Sequence, residues 1–172
     1  MEIRAALKEQ FHAGLTMLRQ CVELCPAELW TAGTHPRTYY RIVFHAAFFT
    51  HLYLGQDEVA FVPWPGCREG WHPGLWEDPA RLEPYELPED AETYGKNEMI
   101  AYIDHVDGLV DPLIDKLDLD TGESGFSWYP NFSKLSHVLL TLRHVQGHVG
   151  QLSELLMARN IDIDWVSRNR ES

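Results

Sequence analysis

Apolar residues recur at intervals of three and four along four stretches of this chain, and turn-forming residues separate the stretches. In the first, Ile3, Leu7, Phe11, Gly14, Leu15, Leu18 and Val22 share one helical face, which predicts a helix over 2–24 that Pro26 ends. A second helix is expected over 36–55, with Pro36 in its first turn and Thr34 or His35 near its cap. A third, over 95–117, carries Ile100, Ile103, Val106, Val110, Leu113 and Leu117, with Glu98 placed to favour its dipole. Gly108 and Pro112 should bend or interrupt it. The fourth, over 131–159, has Leu135, Val138, Leu142, Val145, Val149, Leu152 and Leu156 as its stripe and Asn131 or Ser133 as its cap. The fold expected is all-α, an antiparallel four-helix bundle.

Between the second and third helices lies a long crossover, residues 57–93. Pro63, Pro65, Pro73, Pro79, Pro84 and Pro88 forbid a continuous helix there, and Trp64, Trp71, Trp76 and Tyr85 suggest an ordered wrap. It could cover apolar surface, wall a pocket, or do both. No internal repeat is found, and Asp162 to Trp165 reads as a terminal segment.

The chemistry worth pursuing is in the histidines. His144 and His148 are four apart, so on a helix their imidazoles stand one turn apart on one face, at the edge of the apolar stripe, where a neighbouring helix is met. In a chain with nine histidines such a pair also arises by chance, and a second observation is needed. His45 supplies it, because Ile42, Phe48, Phe49 and Leu52 fall on either side of it on the helical wheel. Alone, it would be a core histidine with hydrogen-bonded nitrogens. With the pair from another helix, three neutral imidazoles make an open three-coordinate metal site, and a bound ion offsets the cost of burying them.

The other histidines fit less well. His51 is turned about 120° from His45 and should lie on the flank or outside. His137 shares the edge of His144 but sits roughly 10 Å along the axis, too far to join the same ion. His105 lies beside its stripe as a surface or boundary residue, and His72, next to Pro73, has no periodic partner. Glu9 and His12 match one Glu-x-x-His of a di-iron bundle, yet there is no second copy, and Glu9 lies opposite the stripe, which makes it a solvated residue.

Composition narrows the classes. At 172 residues the chain is expected to be one domain, 1–172. Its 26 acidic against 14 basic residues give a net charge of −12, and without a basic stripe a nucleic-acid surface is disfavoured. Neither a membrane-length apolar run nor a secretory leader is evident, so no membrane association and a cytoplasmic location are expected. Cys21, Cys25 and Cys67 give no disulfide framework and read as buried or idle thiols. Neither a Ser-His-Asp nor a Cys-His arrangement offers a protein nucleophile. Six tryptophans leave aromatic surface that a homodimer would share.

The segment Arg143 to Leu152, His45 inside the second helix, and four helices with a long second-to-third crossover resemble the DinB-like superfamily of metal-binding four-helix bundles, over roughly residues 3–160. (The name is shared with an unrelated DNA polymerase.) The resemblance implies a divalent metal on His45, His144 and His148, and imidazole donors suit zinc or nickel, then iron or copper, better than magnesium or calcium. It also implies a metal-dependent enzyme, such as a thiol-dependent S-transferase or isomerase, acting on a small molecule with a low-molecular-weight thiol as partner, and often dimeric. The alternative is a non-catalytic metal-binding or stress-related binding protein. The long tryptophan-rich crossover departs from the family pattern and leaves the substrate open.

Overall fold

A computed structural model describes residues 3–68 and 91–168. Among the described residues the chain is all-helical: α1 Ile3–Leu24, α2 Ala27–Trp30, α3 Tyr39–Tyr53, α4 Lys96–Lys116 and α5 Lys134–Met157, with no strand. The four long helices match the four periodic stretches. Much of the crossover, including Trp71, His72, Trp76 and Tyr85, lies outside the described residues.

The element ends differ from the pattern for local reasons. Helix α3 starts at Tyr39, not near Pro36. Residues 31–38 make turns instead, with Arg37 N–H donating to Thr34 O at 2.7 Å and Tyr39 N–H to Ala32 O at 3.1 Å. Gly33 is required in this turn: its φ is +115°, and a Cβ there would meet Arg37 O at 2.8 Å. Thr38, extended at ψ 156°, is the N-cap, and its side chain makes no capping bond. The four-residue α2 is too short to show a period; the Trp30 indole N–H fastens it by donating to Tyr94 O at 2.8 Å.

Helix α4 opens at Gly95, whose N–H donates to Glu98 Oε2 at 2.6 Å. It then runs through Gly108 and Pro112 over the expected span, so they do not interrupt it. Proline removes the donor that Gly108 carbonyl would receive. Both residues are exposed, so water can take that bond, while buried Val106, Val110 and Ile114 hold the helix on either side. Ser133 caps α5, its Oγ accepting from Ser136 N–H at 3.3 Å.

All 15 residues of α3 are buried. A helix apolar on every side belongs in the interior, and α3 packs against both α5 and α4, while α1 also packs against α4 and α5. His51 is therefore not on the outside but 4% exposed. Tyr102 of α4 and Phe61 from the start of the crossover cover it, with Nδ1 3.1 Å from Tyr102 Oη and the Phe61 ring 4.8 Å away. The terminal segment runs along α1, where Gln20 Oε1 accepts from Asp164 N–H at 2.8 Å and Gln10 donates to Ser167 O. No helix among the described residues is long and apolar enough to cross a membrane.

Candidate metal centre

The burial of α3 decides where its polar side chains go: each must meet a neighbouring element. His45 meets α5. Its Nε2 lies 2.8 Å from His144 Nε2, which in turn lies 3.1 Å from His148 Nε2. The three ligand atoms fall within 4.8 Å of one another, and the ring centroids are 4.5–4.8 Å apart. His45 is buried and the other two are half-buried, so one side of the cluster is open to solvent. Phe49, one turn on from His45, lies 4.7 Å from it and 5.9 Å from His144 and supplies an apolar wall. This arrangement of His45, His144 and His148 could hold a metal ion.

Proton counting tests the fit. His148 Nδ1 stands 2.8 Å from Gln151 Oε1, which can only accept, so Nδ1 carries the proton and Nε2 presents a bare lone pair to the cluster. His144 Nε2 is within hydrogen-bond distance of both other Nε2 atoms, yet one proton on it can be directed at only one of them. A second proton on the His144 ring is disfavoured: burial first, then neighbouring His148, lowers its pKa to about 4. Its Nδ1 is buried without a hydrogen-bond partner among the described residues. Burial also lowers the His148 pKa, with Arg37 adding to the effect and Gln151 opposing it. Metal ligation needs neutral imidazoles with converging lone pairs, and these shifts keep His144 and His148 neutral at pH 7. A tetrahedral ion with bonds of about 2.0–2.1 Å sets its ligand nitrogens about 3.3–3.4 Å apart. The 2.8 and 3.1 Å separations are within about half an ångström of that, while all three nitrogens lie within 4.8 Å, so the His45–His148 pair is the one that an ion would draw together. The donor set fits a divalent ion.

The remaining candidates lie elsewhere. His137 is fully buried among Tyr53, Phe126 and Tyr129, with ring centroids 4.6–5.2 Å away, and is not part of the cluster. His12 binds Asp107 at 2.7 Å and Asp111 at 3.3 Å across the α1–α4 seam, and Glu9 is exposed, so Glu9 and His12 build no second metal site. Burial pushes the Cys21 thiol up to about 12 and Cys25 to about 11; Cys67 is raised too, leaving all three as neutral thiols at pH 7. Pattern reading missed Gln151 and Arg37; Phe49 it had placed beside His45, but not its approach to His144. Gln151 was findable, since its i+3 spacing from His148 puts it beside that ring on α5. Arg37 was not, because it depends on the turn before α3. Comparison of the chain with protein-family models, with curated proteins and with solved structures finds no match in any of the three.

Proposed function

We propose that the four long helices form an antiparallel four-helix bundle of the DinB-like type, and that His45, His144 and His148 hold a divalent ion in a metal-dependent enzyme. The reaction class that fits best is thiol S-transfer or thiol-dependent isomerisation of a small-molecule electrophile. The observation that carries this reading is the meeting of three imidazole nitrogens from two helices, with no fourth His, Cys, Asp or Glu joining the group among the described residues. A structural zinc is normally closed by a fourth protein ligand, whereas a catalytic one keeps a position open. Imidazole donors suit zinc or nickel, then iron or copper, rather than magnesium or calcium. A bound divalent ion would lower the pKa of a thiol or water placed in its open position, giving the nucleophile at neutral pH. The chain's own residues orient and shield: Gln151 turns His148 inward, Phe49 keeps water from one flank, and half-buried His144 and His148 leave the entry side.

A second reading is a metal-holding or stress-related binding protein without turnover. It is favoured by the absence of any carboxylate or thiolate beside the three imidazoles among the described residues, which leaves no protein acid or base there. The test is to purify the full chain without an affinity tag, measure bound metal, reconstitute with cobalt or nickel, and add low-molecular-weight thiols while following the absorption spectrum. The enzyme reading expects a sulfur-to-metal charge-transfer band and thiol consumption with at least one of a panel of electrophiles. Metal binding with neither response leaves the binding protein, and no metal in wild type after supplementation removes both.

A further inference from the structure

The outward face of α5 is open to solvent, and its residues are placed symmetrically about the middle of the helix. Leu139, Arg143, Gly147, Gly150, Glu154 and Met157 recur there at threes and fours and are all exposed, Leu139 by 51% and Met157 by 53%. Counted outward from the midpoint between Gly147 and Gly150, glycine stands opposite glycine and Arg143 opposite Glu154. Farther out, Leu140 stands opposite Met157 and Leu139 opposite Ala158. A twofold interface requires this property, because the axis lays a face on its own reversed copy, so that the residue met by the first member of a pair is the second member of the other copy.

Two features call for a second copy on this face. Arg143 and Glu154 have no opposite charge three or four residues away on α5, and their side chains make no ion pair or hydrogen bond among the described residues. They stand eleven residues apart, about 16 Å along the helix, so they cannot neutralise each other within one chain. In an antiparallel pair of α5 helices each meets its opposite. The second feature is the pair of glycines. Gly147 and Gly150 weaken the helix relative to alanine, yet nothing inside the chain uses their small size, since a Cβ at either would meet no atom within 4 Å. At the centre of a helix pair the same two residues let the backbones approach closely.

We propose that this face is a homodimer interface: α5 packs antiparallel on α5 of a second copy about a twofold axis between Gly147 and Gly150, with Arg143 paired to Glu154 of the partner subunit and the apolar ends of the two helices covering one another. The pairing does not rest on the metal centre, whose His144 turns toward His45 of α3. The exposed charge pairs set register and orientation more than strength. One helix pair buries less than the roughly 1,600 Å² of a standard interface, so the dimer should be weak, with a dissociation constant of about 10–100 µM.

The experiment is sedimentation equilibrium of the full chain between about 1 and 500 µM, with a chelator present so that no ion bridges surface histidines. Wild type should pass from the 19.8 kDa monomer to a dimer across that range. Arg143→Glu leaves only acidic groups at the two charged positions and Glu154→Arg only basic ones, so each should weaken self-association at least about tenfold. An equimolar mixture of the two variants restores both charge pairs in a heterodimer and should associate within about threefold of wild type, as should the double variant with itself. Gly147→Leu should remove the dimer while keeping or raising the monomer's melting temperature, which separates a lost contact from a lost fold. If Gly147→Leu does not fold, the charge exchange decides. The proposal is overturned by a monomer at every concentration, which would leave the face to another kind of partner, by a dimer that neither charge reversal weakens, or by single variants that weaken it and fail to complement when mixed.

Discussion

Replacing Gln151 tests the metal centre without touching a ligand. His148 donates Nδ1–H to Gln151 Oε1 over 2.8 Å, and that bond turns the Nε2 lone pair toward His144. Loss of such an outer partner typically costs 10–100-fold in metal affinity, about 1.4–2.7 kcal/mol. Gln151 is exposed, so water can replace part of the lost acceptor, and Gln151→Leu should sit at the low end, about tenfold or ~1.4 kcal/mol. Leucine keeps helix propensity at an exposed position, so the stability of the metal-free protein should move by no more than about 0.5 kcal/mol. Gln151→Glu puts a charged acceptor on the same proton and should strengthen binding. Competition against a chromophoric zinc chelator at pH 7.5 gives the affinities, and thermal melts of the metal-free variants give the control. The reasoning fails if the leucine variant binds zinc within twofold of wild type, or if the glutamate and leucine variants weaken it equally.

Three further outcomes are expected. His144→Ala removes the nitrogen shared by both short contacts and should lower bound metal after supplementation at least tenfold by elemental analysis, with helical circular dichroism unchanged. His137 is held near pKa about 4, mainly by burial and then by Lys134, against 6.5 in the unfolded chain; the unfolded state takes up more protons between those values, so the contribution is complete above pH 6.5 and is lost as pH falls toward 4. In urea unfolding of metal-free protein at pH 7.5, 5.5 and 4.5, His137 should contribute up to about 3 kcal/mol of the loss, and His137→Phe should be flatter than wild type by that share, the buried His144 supplying a further part that both proteins keep. Gly125→Ala places a Cβ at φ +85° and 2.2 Å from Gln56 O and should cost about 2–3 kcal/mol in the same assay; a change under 0.5 kcal/mol would show that this turn relaxes freely.

The long helices and the His45, His144 and His148 cluster were legible because both follow from one rule, the angular period of a helix. Spacing of four aligned His144 with His148, and apolar neighbours placed His45 inward. What the pattern missed depends on contacts without a period. The start of α3 is set by backbone bonds among residues 31–38, and Gly33 is the one visible trace of them. The continuity of α4 through Pro112 is set by packing on both sides of an exposed carbonyl. Neither leaves a signal in hydrophobic spacing.

The misplacement of His51 has a more general cause. Reading a helix as one apolar face assumes that the opposite face meets water, and α3 has no such face. In a helix enclosed on all sides, each polar side chain must be satisfied by its own backbone or by another element. Thr50 takes the first course, its hydroxyl donating to Ala46 O at 2.7 Å. Arg41 lays its guanidinium over the neighbouring Tyr40 ring at 5.5 Å. His45 and His51 instead reach outward to α5 and to α4. The useful question for such a helix is therefore which polar residues cannot close on the helix itself, and among them here are His45, which meets His144 of α5, His51, which meets Tyr102 of α4, and Tyr39, whose hydroxyl donates to Cys21 O of α1.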